Sequence, residues 1–415
     1  MGHSLREDAE WIIDKSLKEI MPDAAVKRAL VNYKKGNGKI ILVAAGKAAW
    51  QMAKAAVEVL GEVDNGIVIT KYDHVMGKIP NVMCCEAGHP VPDQNGFLST
   101  ERAWNITENL SADDTVIFLL SGGGSALFEK PLIPGTELQE ITEQLLASGA
   151  NIVEMNTIRK RLSAVKGGRF ALHCAPAKVY SIVLSDIVGD PLDMIASGPA
   201  YPDKSTCEEA RKIAERYDLK LTTNVCDLLN KETPKKLTNV TTLITGSVRE
   251  LCRAAANACS ELGYEPYILT DCLECEAKEA GSFLASIVRT RCSDGKKIAF
   301  LAGGETVVHL TGNGLGGRNQ ELALAAAKGI AGISNAAVFS VGSDGTDGPT
   351  NAAGGYVDGT TAAKIKKNGK EIYNVLKEND AYHALQEVNG LIITGPTGTN
   401  VNDVAIALVD GEASV

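Results

Sequence analysis

Two cations stand where helices are expected to begin. Lys47 follows Gly46 at the end of the apolar run KIILVAAG, residues 39 to 46, and precedes the helical stretch at 48 to 61. A cation there opposes the helix dipole, so the placement suits a site where it meets an anion. The plain alternative is a solvated surface lysine. Arg318 follows GNGLGG and opens NQELALAAA. A guanidinium makes paired bonds to phosphate or carboxylate; the plain alternative is an ion pair with Glu321. Carboxylates stand at strand ends nearby in the pattern: Asp186 and Asp190 in SDIVGDPLDMIASGP, Glu305 in AGGET, Asp344 in GSDGTDG. Mg²⁺ takes one or two such oxygens and completes its shell with water and substrate phosphates. A buried carboxylate can also accept a proton from an attacking hydroxyl. Asp193, Asp347 and Asp358 read instead as turn-stabilising residues. His89, in EAGHPVPD, either orients a substrate or serves a turn.

Glycine clusters accompany these residues. SGGGSAL (121 to 127), AVKGGRF (164 to 170), AGGET (302 to 306), GNGLGGRNQE (312 to 321), GSDGTDGPT (342 to 350) and GPTGTN (395 to 400) share one grammar. An apolar strand leads into glycine and small hydroxyl residues, then into polar residues or a helix. Backbone amides at such turns bind phosphate. One such loop signifies little; six in one chain exceed what turns require. The run Ser121, Gly122, Gly123, Gly124, Ser125 is the densest and reads as a cradle for an anion. No stretch satisfies G-x-x-x-x-G-K-[ST], since Ala48 stands where Gly46-Lys47 would need a hydroxyl. No G-x-G-x-x-G follows a strand and opens a helix, and there is no G-x-S-x-G.

The elements that must position these residues alternate. KIILVAAG, GIVITK, NVMCCEAG, TVIFLL and KVYSIVLSD read as buried strands separated by helical periodicity, which predicts a mainly parallel, Rossmann-like sheet covered on both faces. The polar stretch NKETPKKLT, residues 230 to 238, reads as a connection. Beyond it TTLITG, the helix SVRELCRAAANACSELG, PYILTD, KKIAFLAGGE and AAVFSVGSDG restart the rhythm. The expected architecture is α/β in two lobes, residues 1–236 and 237–415, with chemistry at the carboxyl ends of strands in the cleft between them.

Composition narrows the partners. A chain of 415 residues exceeds one typical core. A formal net charge of −9 disfavours nucleic acid. No apolar run reaches the ~18 residues that span a bilayer, and the charged N-terminus lacks a signal's apolar core, which points to a cytoplasmic protein without a membrane partner. The single CxxC, Cys272 and Cys275, lacks a second pair or a suitably spaced histidine, so the ten cysteines read as reduced thiols rather than zinc ligands. Apolar α/β lobes often pair; the sequence itself leaves a homodimer open.

LLSGGGSAL, VKGGR, SDIVGDPLDMIASGP, AGGET, GLGGRNQELAL, SVGSDGTDGPT and GPTGTNVND, taken together, resemble the class II glycerate 2-kinases, whose C-terminal part is the MOFRL domain. The motifs run in order from about residue 40 to 405, and EAGHPVPD and Gly46-Lys47 look like family positions too. The resemblance implies transfer of the γ-phosphoryl of ATP to the 2-hydroxyl of D-glycerate, and a place in sugar-acid breakdown such as non-phosphorylative Entner–Doudoroff routes. It implies active-site roles for Lys47 and Arg318, with Asp186 or Asp190 beside them. In that chemistry Asp190, Glu305 and Asp344 would hold Mg²⁺ or another divalent cation. Ser121, Gly122, Gly123, Ser125 and His89 would join Lys47 and Arg318 at the substrate. Lys166, Gly167, Gly168, Gly303, Gly304, Gly316, Gly317 and Asn319 would face the nucleotide. Competing expectations are a hydroxypyruvate reductase-type oxidoreductase, against which the missing dinucleotide fingerprint argues, and a non-catalytic nucleotide-binding module, which has no need of the Lys, Arg and Asp set.

Overall fold

A computed structural model describes residues 4–411. Among these residues twelve strands form two six-stranded sheets. In chain order the first sheet takes β1 (Ile40–Ala45), β2 (Asn65–Lys71), β3 (Val82–Ala87), β4 (Thr115–Leu120), β5 (Lys178–Leu184) and β6 (Val240–Gly246). The second takes β7 (Glu265–Leu273), β8 (Ile298–Gly304), β9 (Ala336–Gly342), β10 (Gly354–Asp358), β11 (Leu391–Ile392) and β12 (Asp403–Val409). The chain divides into two compact units, one of residues 22–185 and 190–245, the other of 1–21, 186–189 and 246–415.

The first sheet has the order β3-β2-β1-β4-β5-β6, with β1 through β5 paired parallel. Strands β1 and β4 are buried along their whole length, as parallel strands covered on both faces must be. The helix Ala49–Leu60 lays Ala49, Met52, Ala53 and Ala56 on Leu42, Ala44, Ile117 and Leu119. This is the expected Rossmann-like order. TTLITG, expected to start the second lobe, is instead the sixth strand of this sheet. The strand-helix rhythm runs unbroken across the boundary, and periodicity alone does not say which sheet a strand joins.

The second sheet is mixed, in the order β11-β10-β9-β12-β8-β7. Strand β12 runs antiparallel between β8 and β9, setting Asp403 opposite both Gly304 and Gly342. One face is covered by helices Leu5–Glu19 and Val248–Glu261, the other by Ala277–Arg291 and Arg318–Gly329. The helix Leu5–Glu19 opens with a capping box between Ser4 and Glu7 and buries Ala9, Ile12, Ile13 and Leu17. It therefore packs with the second unit, although the sequence division placed residues 1–236 together.

Candidate active site

In a doubly wound sheet the crevice lies where strand order reverses, outside the carboxyl ends of the strands flanking the reversal. Here those strands are β1 and β4, and their ends carry Gly46-Lys47 and the Ser121 to Ser125 loop. The two turns are tied together: the Lys47 amide donates to Gly122 O at 2.8 Å and the Ala48 amide to Ser121 Oγ at 3.1 Å. Gly46 has φ +124°, and a Cβ on it would collide with Ser121, so only glycine lets the turns approach. The helix Ala49–Leu60 has neither a side-chain cap nor an acidic residue in its first turn.

Lys47 is exposed, and among the described residues neither it nor Lys71 has an ion-pair partner. A Cβ built on Gly123 would lie 3.0 Å from His89 Nε2 and 3.3 Å from Lys47 Cγ, which places loop, imidazole and lysine stem together. Burial, then the ammonium groups of Lys47 and Lys71, hold the His89 imidazole below its ordinary pKa. Among the described residues the amides of Gly122, Gly123 and Ser125 have no backbone acceptor, whereas Gly124 donates to Ser121 O. Uncommitted amides, two ammoniums without ion-pair partners among the described residues and an imidazole held toward its neutral form meet here, a chemistry suited to an anion.

The loop AVKGGRF has a different use. Gly167 and Gly168 donate their amides to Ser197 O at 3.0 Å and Gly198 O at 2.7 Å, leaving none for a phosphate. Lys166 is fully buried, its ammonium on Ser125 O at 2.8 Å, Phe128 O at 3.2 Å and Glu129 Oε2 at 3.2 Å. Burial lowers its pKa to about 8, against the pull of Glu129. It lies against the Ser121 to Ser125 loop with its ammonium turned to internal oxygens, where the sequence reading expected it to meet the nucleotide. Asp190 groups with this unit, at φ +52°, with Oδ1 buried and without a hydrogen-bond partner.

In the second unit Arg318 stands at the first turn of its helix. Nε bonds Asp403 Oδ2 at 2.5 Å, Nη2 bonds Asp403 Oδ1 at 3.1 Å and Nη1 bonds Glu305 Oε1 at 2.7 Å. Three of the five guanidinium donors are thus committed and two remain. The side chain is 33% exposed, while that of Asp403 is only 8% exposed. Glu321, the alternative partner in sequence, bonds Asn379 instead. Burial pushes the Asp403 carboxyl up to about 6 despite Arg318, with nearby Asp347 adding to the rise, while the paired carboxylates hold the guanidinium charged more firmly than usual. Glu305 Oε2 accepts from Asn402 Nδ2 at 3.2 Å, and the same amide reaches Asp186 O at 3.3 Å.

The amides that open the Arg318 helix are already taken. Asp347 accepts from Asn319 N at 3.2 Å and Gln320 N at 2.9 Å, so an internal carboxylate fills the helix end where a phosphate was expected. Asn319 is buried and also donates to Asp347 and accepts from Ser340. Gly317 is glycine because a Cβ would enter the Asp347 carboxylate. Gly316 lies against the backbone of Ala381. Gly303 and Gly304 lie within β8, paired with Val404 and Asp403. These glycines serve packing, and with Asn319 they depart from the expected nucleotide contacts.

Among the described residues no three His, Cys, Asp or Glu side chains gather as metal ligands. Both Glu305 oxygens are engaged. Asp344 bonds the Thr346 amide through Oδ1. Asp190 Oδ1 lacks a hydrogen-bond partner among the described residues, and Glu305 is better described as a partner of Arg318. Asp403, Asn402, Glu129, Arg159 and Lys71 complete the two clusters and were not singled out from sequence. Asp403 had a signal: it ends GPTGTNVND and begins an apolar strand.

A domain of unknown function, DUF4147, matches residues 8–230, and the MOFRL family matches residues 298–403. The chain is 51% identical to the D-glycerate 2-kinase of Thermotoga maritima, over 98% of this chain and 99% of that one. It is 42% identical to the glycerate 2-kinase of Pyrococcus horikoshii, over 90% and 88%. The crystal structure of a Thermotoga maritima glycerate kinase superposes with a TM-score of 0.93 at 50% identity, covering 98% of this chain and 99% of that chain. With the MOFRL motifs carried on two six-stranded sheets, the chain belongs to the MOFRL family of glycerate kinases.

Proposed function

We propose that this protein is a glycerate 2-kinase that moves the γ-phosphoryl of ATP to the 2-hydroxyl of D-glycerate, giving 2-phosphoglycerate and ADP. The observation that carries the reading is the pair of unneutralised cations over uncommitted amides at the strand-order reversal, on a chain so close to D-glycerate 2-kinase of Thermotoga maritima. Phosphoryl transfer needs positioning and charge neutralisation more than covalent chemistry. The Gly122, Gly123 and Ser125 amides with Lys47 and His89 bind the anionic acceptor. Lys47 and the two free donors of Arg318 offset charge on the migrating phosphoryl. Asp186 or Asp190 takes the hydroxyl proton. Mg²⁺, when bound with the nucleotide, neutralises phosphate charge, and Asp190 and Asp344 are its candidate protein ligands. A cytoplasmic setting fits ten free cysteines.

Incubation with ATP, Mg²⁺ and D-glycerate, followed by ³¹P NMR, tests the reading. Equal amounts of ADP and 2-phosphoglycerate are expected. Reduction of hydroxypyruvate by NADH without ATP, with no phosphoglycerate formed, contradicts it.

A further inference from the structure

We propose that Lys166 is a positioning residue for phosphoryl transfer, holding the Ser121 to Ser125 loop from beneath so that its free amides face the acceptor. The inference rests on the kinase reading above, in which that loop receives the anion. Three successive glycines have the greatest backbone freedom in the chain. The turn that follows them, Gly124–Leu127, is far too short to sustain its own shape. Something outside the loop must fix it.

Lys166 does so from the interior. Its ammonium donates to Ser125 O and Phe128 O and stands 3.2 Å from Glu129 Oε2 as an ion pair. Arg159 Nη2 meets the same Ser125 oxygen at 3.3 Å, so two cations converge on one carbonyl. Holding Ser125 O and Phe128 O from within pins the loop whose Gly123 lies against His89 and Lys47. A wholly buried ammonium is expensive to keep, and an apolar side chain would pack there without that penalty. Its retention matches a need for orientation that an apolar group cannot meet.

The charged groups facing the ammonium are Glu129 and Arg159. Its lowered pKa gives the grip a pH dependence: as pH rises through about 8, the ammonium loses its proton and the loop loses its fixed donor.

The test uses the full-length protein and three measurements. Wild type is first assayed for glycerate-dependent ADP formation, and absence of that activity sinks the kinase reading rather than this proposal. Next, Lys166→Met is combined with Glu129→Gln, so that neither charge is left buried alone, and kcat and KM for glycerate are measured on the folded fraction. A fall in kcat/KM of about 10²-fold, the usual scale for misplacing a reacting group, supports the proposal; a folded double variant within about threefold of wild type overturns it. Third, the pH profile of wild type decides the matter if the double variant does not fold. A fall in kcat/KM centred near pH 8, while thermal stability holds, supports the grip, and a flat profile from pH 7 to 9.5 overturns it.

Discussion

Arg318 and Asp403 form a two-pronged pair, Nε to Oδ2 at 2.5 Å and Nη2 to Oδ1 at 3.1 Å, with the carboxylate much the deeper of the two. The pair aims the guanidinium and, with the bond to Glu305, leaves two of its donors uncommitted. Because burial lifts the Asp403 carboxyl to about 6, protonation on acidification releases the arginine within a physiological range. The folded state binds this proton more tightly than the unfolded state does. Its contribution to stability is therefore full below the unfolded value and is lost as pH rises through about 6, while activity needs the ionised form. We expect kcat to fall below about pH 6 and Asp403→Asn to remove that limb, along with most activity. A pH–rate profile of the two proteins checks both.

Lys47→Ala should lower kcat by ~10³-fold, the scale seen for charge clamps in phosphoryl transfer. Lys47 is exposed and has no ion-pair partner among the described residues, so the melting temperature should stay within a degree or two. Steady-state kinetics beside a thermal melt separates this from a folding defect.

His89 offers a direct probe of the anion. Its imidazole is kept below the ordinary pKa by burial and two lysines. An anion seated between them should raise that pKa by neutralising Lys47 and Lys71. Titration of the His89 ring by NMR, with and without D-glycerate, is expected to show an upward shift in the presence of the ligand. An unchanged value would place the acceptor elsewhere.

Asp347→Ala tests the architecture rather than the chemistry. It removes the acceptor for Asn319 and Gln320 amides from a buried helix end. A loss of about 2 kcal/mol is expected, from the cap and the unpaired donors together. Urea unfolding measures it.

Much of this was legible in sequence. The buried strands of the first sheet read directly from apolar runs of parallel-sheet length, and Lys47 stood out because a lysine at a strand-to-helix turn is electrostatically odd. The glycine loops were the weaker guide. The signal does not distinguish a loop with free amides, as at Gly122 and Gly123, from one whose amides are committed, as at Gly167 and Gly168. The Arg318 helix looked like a phosphate site from sequence because nothing local shows that Asp347, twenty-eight residues on, folds back to fill it. The same nonlocality hid the antiparallel insertion of β12, which alone brings Asp403 to Arg318. It also hid the packing of helix Leu5–Glu19 with the second sheet.

The proposed kinase reaction has Lys47 and Arg318 each offset charge on the migrating phosphoryl group. A kinetic cycle of Lys47→Ala, Arg318→Ala and the double variant, measured as kcat on folded protein, tests it most directly. Groups that act as a unit are strongly non-additive, so the double variant should be about as slow as the slower single variant. Losses that simply multiply would mean that the two cations serve separate steps.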